Sequence, residues 1–283
     1  MLRRIAVHLD PGTNALSRFN FALNLAREFK AEIQCLYAGY IPPARHWPPY
    51  VYGGDLMVVE LLDESRKVTQ AEHDDARFRF MNAAAGRGIP ATWFSAEHSP
   101  AEEVSAHARL SDLLIIGAED KQDEKALVEK GFAQHLIFSS GRPVLVLPRG
   151  FAGATAGQKT LLCWDGSREA ARALADAAPF LQRAAEVLIL TVSEPAGATQ
   201  ATTVPPEELA AYCRTHSYAV SRHMNRSTDY PEVGQIITSV AAEEKVDLIV
   251  MGAYGHSRFR EWVLGGATEI LLTTSPMPVL FSH

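Results

Sequence analysis

Short apolar runs alternate with longer amphipathic segments along the whole chain. Strands are predicted at about 3–10, 32–40, 90–97, 112–118, 143–148, 159–165, 186–194, 218–225, 246–252 and 278–282. Helices are predicted between them, at about 14–30, 55–86, 100–110, 125–140, 167–183, 205–216, 231–244 and 266–275. Strands that alternate with helices are typical of a doubly wound, parallel α/β sheet with right-handed crossovers.

The two halves of the chain repeat one unit. The segment Asp-Leu-Leu-Ile-Ile-Gly-Ala at 112–118 matches Asp-Leu-Ile-Val-Met-Gly-Ala at 247–253, an offset of 135 residues. At the start of each unit Asp10 matches Asp165, an offset of 155 residues, so the second copy is shorter in its middle. We therefore predict two five-stranded parallel-sheet domains, at 1–148 and 159–283, joined by a small, flexible linker at 149–158.

A glycine-rich segment follows the predicted strand that ends at Met251. Gly252 and Gly255 favour a turn in which the backbone can approach a ligand. Gly265 and Gly266 precede a helix predicted to start with Ala-Thr-Glu-Ile. Free backbone N–H groups at a helix start, next to a glycine turn, suit a phosphate group.

This spacing resembles the nucleotide motif of the universal stress protein family, Gly-x2-Gly-x9-Gly followed by Ser or Thr. Nine residues separate Gly255 from Gly265, while Gly266 stands where the family has Ser or Thr. The resemblance covers nearly the whole chain and is strongest in the second copy, including Trp-Asp-Gly-Ser-Arg-Glu-Ala-Ala-Arg at 164–172. It implies a nucleotide α-hydrolase-like fold and a tandem protein with two universal stress domains.

The resemblance also implies an adenine nucleotide, ATP or AMP with or without Mg²⁺, in the second copy. Asp165 would accept hydrogen bonds from the ribose or the base, Val192 would form an apolar wall, and Met251 would lie beside the ring. Gly252 would let the backbone approach the ligand. The phosphates would be framed by Gly255, Gly265 and Gly266, and one arginine of the intervening loop, Arg258 or Arg260, would approach a phosphate. Asp165 is equally suited to cap the helix that starts near Ser167, and the glycines are equally suited to shaping the turn alone.

The first copy departs from the motif. It retains Gly117, but Asp120 stands where the second glycine belongs, and Lys130 and Gly131 align with the later glycine pair. Asp120 and the neighbouring Glu119 bring negative charge toward the expected phosphate position. Because like charges repel an anionic ligand in a cleft, we predict that the first copy does not bind ATP in the family manner.

Composition and motif content argue against several other classes of protein. The net charge of −6 and the pI of about 5.9 give no nucleic-acid footprint. No apolar run approaches the roughly 20 residues of a membrane span. The three cysteines lack Cys-x-x-Cys spacing, which argues against a zinc site or a disulfide framework and favours a reduced cytoplasmic setting. No P-loop, dinucleotide fingerprint, nucleophile elbow or His-Glu-x-x-His motif is present.

These observations favour a cytoplasmic nucleotide-binding module of stress response or signalling over a dedicated catalyst. A slow ATP hydrolase is one alternative, with Asp165 and Arg258 as its available groups. An interaction protein with both clefts empty is another. The last strand of each copy, within 143–148 and 278–282, is expected to pair with the other inside the chain as an internal pseudo-dimer. Association of two chains into a homodimer stays open.

Overall fold

Ten strands form a single sheet in a computed structural model of the chain. The structure describes residues 1–39, 56–96, 98–119, 128–193, 204–227, 233–253 and 266–283. The side chains of residues 56–70 and 193 lie outside this description. So does the proline-rich segment 41–54, which we interpret as an irregular loop that the shorter second copy lacks.

The strands follow one another in two groups of five. The first half contributes β1 (Arg4–Leu9), β2 (Glu32–Tyr37), β3 (Ala91–Ser95), β4 (Leu113–Gly117) and β5 (Val144–Leu147). The second half contributes β6 (Lys159–Cys163), β7 (Glu186–Ser193), β8 (Val220–Ser227), β9 (Leu248–Gly252) and β10 (Val279–Ser282). Their order across the sheet is β3-β2-β1-β4-β5-β10-β9-β6-β7-β8, and every neighbouring pair is parallel except β5 and β10.

Helices connect the strands and cover both faces of the sheet. They are α1 (Ala15–Phe29), α2 (Leu56–Ala85), α3 (Pro100–Ala108), α4 (Phe132–Ser139), α5 (Arg168–Asp176), α6 (Ala178–Leu181), α7 (Pro206–Thr215), α8 (Val233–Glu243) and α9 (Gly266–Thr274). One apolar cluster contains residues of α1, α2, α5, α6 and α7, and the other contains residues of α3, α4, α8 and α9. The inner strands β4, β5, β9 and β10 are buried and read as almost continuous apolar runs, whereas the outer strands β3 and β8 are partly exposed. The predicted doubly wound α/β class is confirmed.

The two halves meet at the antiparallel pair of β5 and β10. Leu145 lies opposite Leu280, and Val146 lies opposite Val279. Both leucines are fully buried, so this junction is part of the core. The expected pairing of the two last strands within one chain is therefore confirmed, whereas the domain boundaries at 148 and 159 stay a prediction.

Two predicted helices were wrong in their extent. Of the helix predicted at 125–140, the described residues 128–131 are not helical, and α4 begins at Phe132. Gly131 has a left-handed backbone with φ of 78°, which a right-handed helix cannot include. The helix predicted at 167–183 is interrupted at Ala177, two residues before Pro179, because proline lacks the N–H that would continue the helical hydrogen bonds.

Candidate functional site

The second half brings three of the predicted site positions to one edge of the sheet. β6 lies between β7 and β9, and all three strands are parallel. Asp165 follows β6 by two residues, Val192 is the penultimate residue of β7, and Met251 is the penultimate residue of β9. Since the carboxyl ends of neighbouring parallel strands share an edge, these residues lie together at the position where α/β proteins bind ligands.

Asp165 is exposed and shapes the turn that leads into α5. Its Oδ1 accepts a hydrogen bond from the backbone N–H of Ser167, at 2.9 Å. Ser167 in turn accepts a hydrogen bond at its Oγ from the N–H of Ala170, at 3.1 Å, and is the N-cap of α5. The helix cap suggested for Asp165 is therefore formed by Ser167 instead, and Asp165 forms an Asx-type turn one step before it.

Val192 and Met251 are the apolar members of this group of residues. Met251 is buried, and Val192 is half-buried and packs against the same apolar cluster. Cys163, the last residue of β6, also packs there. Burial, together with the nearby Asp165 carboxylate, raises the pKa of the Cys163 thiol far above its ordinary value, so this cysteine is not a thiolate nucleophile.

Gly252 has a packing role that the sequence did not reveal. A Cβ atom at this position would lie 2.5 Å from the carbonyl carbon of Glu169 and 2.6 Å from the backbone nitrogen of Ala170. The first turn of α5 thus rests directly on the end of β9, and only glycine leaves room for it. Close approach of backbone does occur at Gly252, but the observed partner is a helix of the protein itself.

The predicted phosphate side is described only in part. Gly266 is the first residue of α9, which agrees with the helix predicted at about 266–275, and it is half-buried. The remaining members of the predicted set lie outside the described residues, namely Gly255, Arg258, Arg260 and Gly265. Their roles stay predictions.

The corresponding place in the first half is organised around Asp10. Its Oδ1 accepts a hydrogen bond from the N–H of Gly12, at 2.8 Å, which repeats the Asx-type turn of Asp165. Its Oδ2 is bound by Nη2 of Arg18, which extends from α1. Nε of Arg18 donates to the backbone carbonyl of His8, at 2.7 Å. Asp10 and Arg18 are each only 5% exposed, so the ion pair is buried.

His8 completes this buried polar group. Its Nε2 lies 3.1 Å from the carbonyl oxygen of Ala38, and its Nδ1 lies 3.8 Å from Oδ2 of Asp10. Burial lowers the pKa of His8 to about 4, against the opposing effect of the Asp10 carboxylate. The imidazole is therefore neutral at pH 7, and Nε2 carries the proton that is donated to Ala38.

A small cavity opens beside the Arg18–Asp10 pair, between α1, the end of β4 and the start of α4. Its volume is about 50 Å³, and its lining includes Asn14, Gly117, Glu119, Glu129, Phe132 and Arg149. As far as the described residues define it, this space has room for a few water molecules. Asp120, predicted to repel phosphate here, lies outside the described residues.

The second half of the chain matches a known protein family. The model of the universal stress protein family matches residues 157–283. Residues 157–283 form a universal stress protein domain. The glycine motif quoted from the sequence falls inside this universal stress protein domain, as do Asp165, Val192 and Met251.

Relatives of the chain also carry the name universal stress protein. One from Synechocystis is 27% identical over 176 residues, which cover 60% of this chain and 57% of that protein. One from Methanocaldococcus jannaschii is 24% identical over 151 residues, covering 53% of this chain and 84% of that protein. The crystal structure of a universal stress protein from Archaeoglobus fulgidus matches with a TM-score of 0.67 and 16% identity, over 99% of this chain and 95% of that one. The last match supports the fold across both halves.

A metal-binding cluster and a membrane-spanning helix are both absent from the described residues. No group of three His, Cys, Asp or Glu side chains is placed to hold a metal ion in that part of the chain. Nor does any helix that the structure describes combine the length and apolar character needed to cross a bilayer.

Sequence reasoning missed two residues that organise these sites. Ser167 was detectable as an N-cap, because Ser followed by helix formers is a common helix start. Arg18 was detectable too, since it lies on the same buried stripe of α1 as Ala15, Phe19 and Ala22. A charged residue on a buried helical stripe requires a partner, and Asp10 ends the adjacent strand.

Proposed function

We propose that the chain is a tandem universal stress protein, with domains at 1–148 and 159–283 and a linker at 149–158. In this proposal the second domain binds one adenine nucleotide, ATP or AMP, and the protein acts as a binding module in stress response or signalling. The observation that carries the proposal is the convergence of Asp165, Val192 and Met251 at the carboxyl ends of three adjacent parallel strands.

Each of these residues suits one part of an adenine nucleoside. The exposed Asp165 carboxylate would accept hydrogen bonds from ribose hydroxyls or the exocyclic amine. Val192 and Met251 would contact the base with their apolar side chains. Gly255, Gly265 and Gly266, with Arg258, would meet the phosphates, and the backbone N–H groups at the start of α9 would contribute there.

A cytoplasmic location belongs to the same proposal. All three cysteines are unpaired, and Cys35 and Cys213 are buried. Unpaired cysteines are ordinary in a reducing compartment and uncommon in secreted proteins.

Asp165→Asn is the sharpest test, because asparagine can keep the turn to Ser167 while losing the charge. Asp176→Asn is the matched control: it also removes one negative charge, but at the opposite end of α5, where Asp176 pairs with Arg172. Gly252 is unsuitable for such a test because any side chain there collides with the backbone of α5.

The experiment is titration of the purified protein with ATP and AMP, with and without Mg²⁺, by calorimetry. Small molecules released on denaturation would be identified by chromatography and mass detection. We expect one nucleotide per chain, with affinity about 10- to 100-fold weaker in Asp165→Asn and unchanged in Asp176→Asn. A protein that binds neither nucleotide, or one whose affinity is untouched by Asp165→Asn, would contradict the proposal. Steady release of phosphate that depends on Asp165 would support the hydrolase instead.

A further inference from the structure

Arg18 and Ala173 occupy matching places in the two halves. Each lies eight residues after the aspartate that follows the first strand of its half, Asp10 and Asp165. Both are buried on the helix that follows that strand. The first half therefore has a guanidinium where the second half has a methyl group.

The guanidinium of Arg18 spans the ends of two adjacent strands. It binds the carboxylate of Asp10 and the carbonyl of His8, at the end of β1. Its Nη1 covers Gly117, the last residue of β4, so closely that a Cβ atom there would lie 2.4 Å from it. One buried side chain thus occupies the space above both strand ends.

The equivalent space in the second half is closed in a different way. The backbone of α5 at Glu169 and Ala170, together with the Cβ atom of Glu169, is what contacts Gly252, and no long side chain reaches over the end of β9 as Arg18 does over β4. Asp165 consequently stays at the surface, whereas Asp10 is enclosed beneath the guanidinium. The two aspartates keep the same Asx-type turn and differ in what their second oxygen meets.

A ligand that used Asp10 in place of Asp165 would have to displace Arg18. That exchange would leave a buried guanidinium without its carboxylate, which is strongly unfavourable. A ribose brings only neutral hydroxyl donors to the carboxylate, whereas Arg18 brings a charged donor that is already in place, so the internal partner is favoured.

We infer that Arg18 is an internal occupant of the first cleft, which closes that cleft to adenine nucleosides and leaves one working site per chain. The inference rests on the proposed function of the second half. The block by Arg18 differs from the repulsion of a phosphate by acidic residues. It acts on the nucleoside part of the ligand, so it applies equally to an uncharged ligand.

Adenosine is therefore the probe, since it carries no phosphate for acidic residues to repel. The full chain with Asp165→Asn provides a background in which the second cleft is weakened. In that background Arg18→Ala opens the first cleft, and Arg18→Met removes the donors while keeping most of the apolar stem. Adding Asp10→Asn to either variant removes the carboxylate that the nucleoside would use. Circular dichroism and thermal unfolding verify that each variant is folded.

We expect Arg18→Ala or Arg18→Met to bind adenosine about 10-fold or more tightly than the background, and Asp10→Asn to abolish the gain. Guanidinium chloride at low millimolar concentration, against sodium chloride, should compete with adenosine in Arg18→Ala because it refills the vacated space. Folded variants of both kinds with no gain would overturn the inference, as would Asp10-dependent adenosine binding in the background alone. The proposed function is read separately, from the difference between the wild-type protein and Asp165→Asn.

Discussion

Gly252 lies directly beneath the peptide that joins Glu169 to Ala170, so the end of β9 and the first turn of α5 touch backbone to backbone. At the matching Gly117 the nearest atom belongs to the Arg18 side chain instead. The same glycine in the repeat thus serves two different contacts. A helix backbone moves less easily than the end of a side chain. An added methyl group should therefore destabilise the protein to different extents at the two glycines.

We expect Gly252→Ala to lower the free energy of unfolding by about 1–3 kcal/mol through overpacking. Gly117→Ala should cost less, because the guanidinium can shift by a small rotation of its stem. Urea unfolding of the two variants, followed by circular dichroism, measures both. Equal losses would mean that the Gly252 contact relaxes as easily as the Arg18 contact.

The buried pair of Arg18 and Asp10 should behave as a coupled unit. Arg18→Met or Asp10→Asn alone should each lower the free energy of unfolding by about 3–5 kcal/mol, because each leaves a buried charge without its partner. The double variant leaves neither charge and should lose clearly less than the two single losses combined. A double-mutant cycle in urea measures the coupling, and strict additivity would show that the two side chains act independently.

His8 should make stability depend on pH. Burial lowers its pKa to about 4 in the folded protein, from an ordinary value of 6.5. Between those two values the unfolded chain binds a proton that the folded chain does not, so stability falls as the pH falls. The contribution is about 1.4 kcal/mol per pH unit, or about 3 kcal/mol over the interval.

His8→Gln isolates this effect, because its side-chain amide can still donate to Ala38 but does not titrate in this range. Unfolding in urea at pH 7, 6, 5 and 4.5 should give a steeper decline for the wild-type protein than for His8→Gln. Parallel curves would show that His8 takes up its proton in the folded state near its ordinary pKa.

Leu145 and Leu280 face each other where β5 meets β10, and their alanine variants should be coupled. Each single change should cost about 2–5 kcal/mol, since both side chains are fully buried. Leu162→Ala is the control, because β6 is separated from β5 by β9 and β10, roughly 14 Å in all. We expect coupling of about 0.5–3 kcal/mol for the facing pair and additivity for Leu145 with Leu162. Coupling of similar size in both pairs would argue against a specific contact at the junction.

Much of the fold could be predicted because the relevant signals are local. The runs at Leu113–Ile116 and Leu248–Met251 are apolar at every position, as strands buried on both faces require. The repeat then allowed the pairing of β5 with β10 to be anticipated. The errors in helix extent fell at Gly131 and Pro179, where the sequence carried the breaking residue but the helical pattern was given more weight.

The sites were harder to predict, because the sequence does not show which atoms contact a glycine in the folded protein. Gly252 was assigned to a ligand approach, and its observed neighbour is Glu169, a contact across 83 residues of chain that no local pattern encodes. Asp10 and Asp165 were recognised as equivalent, but their different surroundings depend on one side chain, Arg18, in the following helix. Long-range partners of this kind follow from the packing of helix on sheet and not from residue spacing.

The antiparallel junction of β5 and β10 places the carboxyl ends of the strands of the two halves at different edges of the sheet. Because the strands of the second half run opposite to those of the first, the exposed Asp165 and the enclosed pair at Asp10 lie at opposite edges of the sheet. A binding protein that approaches one of these edges meets the exposed Asp165, and one that approaches the other edge meets the buried pair of Asp10 and Arg18. The two edges of this repeated architecture therefore differ in chemistry. A partner that recognises one of them binds the protein in one defined orientation.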